Sequence, residues 1–214
     1  MTGYSLILMA IVSGFSIGYA FPKFYDVNQL EITHSNLSGN LQLYLSMLLG
    51  IVLVIILDIL VSWTIYQFFK NDNKKVAKMS FILRIIYAAI FGVATYFLVA
   101  NLGQGNNNEL INSNFNSFET VWTLGLIVFG LHLLAVGILM KVHGNIPKVL
   151  WILALIAGIS YVVVHILKSM LPQLSEFTEI LNNVLILPMA LGELGLAIWL
   201  IIKGGKTKSN EQFI

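Results

Sequence analysis

Six stretches of this chain are apolar over the length, about 20 residues, that a helix needs to cross the hydrocarbon of a bilayer. They run from about Tyr4 to Phe21, Leu41 to Phe69, Ser80 to Leu102, Thr120 to Met140, Val149 to Leu171 and Val184 to Ile202. The second is long enough to tilt or to project from the membrane. Turn-forming residues separate the stretches. Asn71-Asp72-Asn73 follows the second, Gly103-Gln104-Gly105 the third, and His143-Gly144-Asn145-Ile146-Pro147 the fourth. Gly204-Gly205 follows the sixth. The pattern predicts an all-α, polytopic membrane protein. Its six helices form one bundle over residues 1–214, with no soluble domain, coiled coil or low-complexity tail. An even span count would permit two inverted three-helix repeats, but the two halves show no convincing match.

Composition supports a membrane setting. Hydrophobic residues make up 57% of the chain and charged residues 10%, against about 25% charged in soluble domains. A soluble chain this apolar would expose adhesive patches. The absence of cysteine excludes disulfides, thiolate metal sites and cysteine nucleophiles. A net charge of +2 is no signature of nucleic-acid binding.

The lysines give an orientation. Lys70, Lys74, Lys75, Lys78, Lys141, Lys148, Lys203, Lys206 and Lys208 fall in loops on one side of the six spans. Lys23 falls on the other, with Lys168 near the same end of span five. The positive-inside rule then predicts that both termini are cytoplasmic. The outer loops are polar, and Gly103 to Phe118 is rich in Asn and Ser. Asn36-Leu37-Ser38 matches a glycosylation sequon, a tripeptide frequent by chance. Gly18-Tyr19-Ala20 resembles a signal-peptide cleavage site, but no positive residues precede it, so the first span is expected to be retained.

Five ionisable side chains lie inside spans: Asp58, Arg84, His132, His165 and Glu193. Each Asp, Arg or Lys at a helix centre costs about 2.5 to 3.5 kcal/mol on insertion scales, so such groups face the bundle interior and find partners. Asp58, His132 and Glu193 fall near the middle of spans two, four and six. Arg84 lies one turn inside span three, with a side chain long enough to reach inward or to snorkel outward. One reading is a single mid-membrane polar site made by Asp58, Arg84, His132 and Glu193. The other is two structural clasps, Arg84 with Asp58 and His132 with Glu193. Tyr66 on the face of Asp58, Tyr87 on that of Arg84, and Tyr161 and His165 on one face of span five are secondary candidates, His165 being placed nearer the interface. Pro188 interrupts the hydrogen bonding of span six, and such a break can line a cavity. Gly14 with Gly18, Ala88 with Gly92 and Ala154 with Gly158 have the four-residue spacing of close helix crossings.

Recognisable catalytic motifs are absent. There is no His-Glu-x-x-His, no glycine-rich phosphate loop and no serine-nucleophile motif. A zinc site would have to recruit Asp58 or Glu193 beside His132 and His165, and no metal is expected. No cofactor is expected either, a haem bound through His132 being the remote option.

Several segments resemble a family of bacterial integral membrane proteins catalogued as domain of unknown function 4386. They include Phe129-Gly130-Leu131-His132-Leu133-Leu134, Ile146-Pro147-Lys148-Val149-Leu150 and Ala157-Gly158-Ile159-Ser160-Tyr161. Leu185-Ile186-Leu187-Pro188, Gly192-Glu193-Leu194 and Trp199-Leu200-Ile201-Ile202-Lys203-Gly204 continue the likeness. Leu57-Asp58-Ile59-Leu60-Val61 and Arg84-Ile85-Ile86-Tyr87-Ala88-Ala89 are weaker echoes. The resemblance covers about residues 50 to 204 and implies a bacterial cytoplasmic-membrane protein. It places Asp58, Arg84, His132 and Glu193 within the characteristic segments, but implies no activity.

The expected function is binding or transport of a small amphipathic or protonatable ligand at the polar cluster. Asp58 and Glu193 would be acceptors or proton sites, His132 a titrating partner and Arg84 a counter-charge. The alternatives are an intramembrane enzyme acting on a lipid or isoprenoid, with His132 and Glu193 as acid and base, and an accessory subunit with a closed polar cluster. The bilayer is the one partner the sequence implies.

Overall fold

The computed structural model describes residues 1–25, 37, 39–105 and 107–203. The sequon at Asn36-Leu37-Ser38, the Gly204-Gly205 stop and Lys206 and Lys208 therefore lie wholly or partly outside the described residues. These residues are helical, without strands, and six helical segments are long and apolar enough to cross a membrane. The first is compound. Helix α1 (Thr2–Ser13) continues into a π-helical stretch, Gly14–Ala20, and a 3-10 turn, Phe21–Lys23. The others are α2 (Leu41–Phe69), α3 (Lys74–Ala100), α4 (Asn108–His143), α5 (Lys148–Met170) and α6 (Ser175–Lys203).

Helix ends follow local chemistry. The Asn73 side chain accepts from the Val76 amide at 3.1 Å and caps α3, which starts six residues before the expected Ser80 and carries Lys74, Lys75 and Lys78 in its first turns. Asn107 caps α4 in the same way, accepting from Leu110 at 3.1 Å. The Asn- and Ser-rich segment expected as a loop is therefore the first three turns of α4 from Asn108 onward. Ile111, Phe115 and Phe118 supply a fully buried stripe at helical spacing there. Polarity of one face concealed the apolar stripe on the other. Helix α6 likewise begins at Ser175, nine residues before Val184. Gly144, at φ +78°, ends α4 in a conformation that glycine adopts without a steric penalty.

Consecutive helices pack on one another, and α1 packs on α6 as well as on α2, so the six close into a ring. Glycines set the tightest seams. A Cβ on Gly130 or Gly158 would lie 2.8 Å from the other's carbonyl oxygen, so α4 and α5 cross backbone to backbone. Gly192 brings α6 close to α5, where a Cβ would lie 2.7 Å from Ala157 Cβ and 3.5 Å from Ala154 Cα. Ala154 and Gly158 thus sit at crossings. Gly14, Gly18 and Gly92 do not, because nothing lies within 4 Å of a Cβ built on any of them.

Aromatic side chains fill both ends of the ring. At the end bearing Lys23, Phe21, Tyr25, Tyr44, Phe115 and Phe118 interlock at centroid separations of 5.0 to 6.3 Å with Phe24. Behind them the Tyr44 hydroxyl donates to the Leu98 carbonyl at 2.7 Å, and Asn114 donates to Asn101 at 2.8 Å. At the lysine-rich end Phe68, Phe69, His143 and Trp199 cluster, and His143 meets Asp72 at 2.8 Å.

Candidate functional site

Arg84 occupies the middle of the ring and is wholly buried. Helix α3 presents it inward on the face it shares with Ser80, Tyr87 and Phe91, all buried. A guanidinium has five N–H donors in one plane and accepts nothing, and here all three of its nitrogens have partners. Nε donates to Asp58 Oδ1 at 2.9 Å, and Nη2 forms an ion pair with the same oxygen at 2.8 Å. Nη2 also donates to the Met9 sulfur, 3.6 Å away. Nη1 donates to Glu193 Oε1 at 2.8 Å and to His132 Nε2 at 3.1 Å. The Phe129 ring lies 5.4 Å from the guanidinium carbon, within cation–π range. One side chain thereby ties α3 to α1, α2, α4 and α6. Lysine offers three donors about a point and could not make this set.

The network assigns the His132 tautomer. Because the Arg84 guanidinium can only donate, Nε2 must accept, which puts the ring proton on Nδ1. Nδ1–H then donates to the Ser80 carbonyl at 2.9 Å, with the Ser80 hydroxyl 3.0 Å away. The imidazole is a neutral strut between two turns of α3.

The four expected candidates, Asp58, Arg84, His132 and Glu193, thus meet in a single network. The clasp reading is corrected in one respect. Glu193 pairs with Arg84 rather than with His132, because both imidazole nitrogens are already engaged by α3. For the same reason no His132 nitrogen is free for a haem iron, and the residues present do not favour that group. Among the described residues no group of three or more His, Asp or Glu side chains is placed to hold a metal ion.

The cluster leaves two carboxylate oxygens over. Asp58 Oδ1 takes both contacts from Arg84, while Oδ2 is buried with no hydrogen-bond partner. Glu193 is 23% exposed at its side chain, whereas those of Arg84 and Asp58 are 0% and 2% exposed. Both carboxylates line a half-open cavity of about 490 Å³. Its inner wall is aromatic: Tyr87, Phe91, Trp122, Phe129 and Tyr161. Its other boundary is the seam between α1 and α6. Ser13, Gly14 and Gly18 stand on one side of that seam and Ile186, Met189 and Ala190 on the other.

Local sequence opens this seam. At the lysine-rich end α1 touches α6 closely, since a Cβ on Gly3 would lie 2.6 Å from the Ala197 carbonyl oxygen. Farther along, the wider π-helical turns lean on α2, and Gly14 and Gly18 present no side chain to α6. Pro188, inside α6, removes the amide that would bond the Val184 carbonyl, at the same level as Ile186 and Met189. π-Helical segments are rare and occur often at functional sites.

Of the secondary candidates, Tyr87 and Tyr161 line the cavity. Tyr66 packs instead against Trp63 and Phe81. His165 donates Nδ1–H to the Tyr161 carbonyl at 2.8 Å and stacks on the Tyr161 ring, supporting the cavity wall without lining it. Sequence reading did not single out Met9, Ser80, Trp122 or the π-helical stretch. Ser80 carried a usable signal, lying four residues before Arg84 on its face. Met9 and Trp122 carried none beyond helical spacing.

Comparison with known proteins gives kinship without an activity. An uncharacterised protein of the archaeon Archaeoglobus fulgidus is 30% identical over 169 residues, which cover 78% of this chain and 89% of that protein. No solved structure matches. A family model matches residues 1–204, so the likeness extends through the first span, beyond the segment from residue 50 in which the motifs were legible. The chain belongs to the family described as domain of unknown function 4386 (DUF4386).

Proposed function

We propose that this protein is a multi-pass membrane protein that binds a small amphipathic molecule entering sideways from the lipid. The observation that carries this reading is the aromatic-walled cavity running from the α1–α6 seam to Asp58 and Glu193. Its volume of about 490 Å³ falls within the roughly 300–1,000 Å³ usual for small-molecule sites. Aromatic clusters at both ends of the ring favour a lateral entrance over an axial one. The lysine-rich end is read as cytoplasmic by the positive-inside rule, which puts both termini there and the seam's opening nearer the outer leaflet of the cytoplasmic membrane.

The same geometry weighs against the rival readings. An acid–base pair of His132 and Glu193 would need His132 to face the cavity, but its nitrogens are held by Arg84 and Ser80. A purely structural cluster would be closed and internally satisfied, whereas Asp58 Oδ2 is unpartnered and Glu193 is accessible.

The test is native mass spectrometry of gently extracted wild type and of Ala190→Trp. Ala190 is exposed at the mouth of the cavity, so the indole obstructs the entrance without displacing a buried group. A molecule retained at unit stoichiometry by the wild type and lost from the variant is the expected result. Equal retention by both would remove the cavity as the binding site.

A further inference from the structure

We infer that the head of the ligand is a protonated amine, seated between Asp58 and Glu193 against the aromatic wall. The inference rests on the reading of this cavity as a ligand site and gives that ligand a chemical class. Three observations point to a cation.

The charges of the buried network do not cancel. Asp58 and Glu193 are two carboxylates around one guanidinium, and His132 is neutral in the tautomer the network assigns. With both carboxylates ionised, one negative charge is left over where the dielectric is low, and such a charge draws in a compensating cation or a proton. The surplus also faces the right way. Arg84 is engaged through all three nitrogens and does not line the cavity, whereas both carboxylates do. An anionic head would meet two carboxylates and no unengaged nitrogen of Arg84, while Asp58 Oδ2, buried and unpartnered, is an acceptor waiting for an N–H. The wall, finally, is made of π faces. Tyr87, Phe91, Trp122, Phe129 and Tyr161 surround the space beside the carboxylates, and aromatic rings attract ammonium groups most strongly when water is excluded.

The test uses three amphiphiles of one chain length, decylamine, decanol and decanoate, added to the protein in lipid nanodiscs. Binding is read from quenching of the fluorescence of Trp122, which lines the cavity, in a variant whose other tryptophans are replaced by phenylalanine. Concentrations are expressed as mole fraction in the lipid, so that partitioning cancels. Decylamine is expected to bind at least tenfold more tightly than decanol, and decanoate not at all. Glu193→Gln is expected to lower decylamine affinity at least tenfold and to abolish its advantage over decanol. That variant removes the surplus charge while keeping side-chain size, and a Trp122 emission spectrum equal to the parent's confirms that it is folded. Decanol binding as tightly as decylamine, with both indifferent to Glu193→Gln, would overturn the cationic head and leave the cavity as a neutral-ligand site. No response to any of the three would overturn both.

Discussion

Along the α4–α5 seam the two backbones touch at Gly130 and Gly158; along the α1–α6 seam they part at Gly14 and Gly18. Both pairs of helices carry small residues at short spacing, and in a membrane such residues ordinarily mean close approach. What differs is the company they keep. Gly158 follows Ala154 and Ala157 on a regular α-helix, so two smooth surfaces meet. Gly14 and Gly18 sit in a π-helical stretch facing a proline-interrupted helix, so the missing side chains add to a void. Glycine provides space, and the neighbouring backbone decides whether a helix or a ligand takes it.

The comparison can be broken at several points, the largest effect lying where both seams are tied together. Arg84→Met leaves the buried Asp58 and the partly exposed Glu193 without their counter-charge. A loss of roughly 3–5 kcal/mol is expected, as for other broken buried pairs, seen as a collapse of the monodisperse peak on size exclusion after mild heating. His132→Phe removes one of the two acceptors of Nη1 and the imidazole donor to the Ser80 carbonyl. About 1–3 kcal/mol should be lost, with the midpoint of thermal unfolding in detergent as the readout.

Substitution at the glycines separates the two seams directly. Gly158→Ala forces a Cβ to within 2.8 Å of the Gly130 carbonyl oxygen and of Leu134. An overpacking cost of about 1–3 kcal/mol follows. Gly14→Ala and Gly18→Ala meet nothing within 4 Å and should change stability by no more than about 0.5 kcal/mol. If Gly158→Ala were no more destabilising than Gly14→Ala and Gly18→Ala in one thermal-shift series, the contrast between the seams would be wrong.

Much of the architecture was legible in the sequence because the bilayer imposes a coarse rule. Any segment that crosses hydrocarbon must be long, apolar and internally hydrogen-bonded, and composition alone reports all three. The α2 span coincides with its expected bounds for this reason. The start of α4 was hidden because Asn108 to Phe118 is polar on one face, and only Ile111, Phe115 and Phe118 report the helix. The candidate cluster was legible in kind, since Asp58, Arg84, His132 and Glu193 are too costly to face lipid. Their partners were not, because depth in the membrane ranks residues along one axis and says nothing of their angle around the ring.

The sequence by itself determined six helices, the end at which lysines gather and the identity of the polar groups forced inward. These follow from the free energy of transferring each residue to hydrocarbon, which is a local property. Only the tertiary structure decided that Arg84 would serve both carboxylates, that His132 would be held between Arg84 and Ser80, and that Gly14 and Gly18 would border a cavity. Those outcomes depend on which helices are neighbours in a closed ring and how their backbones are wound, and no residue carries that information alone.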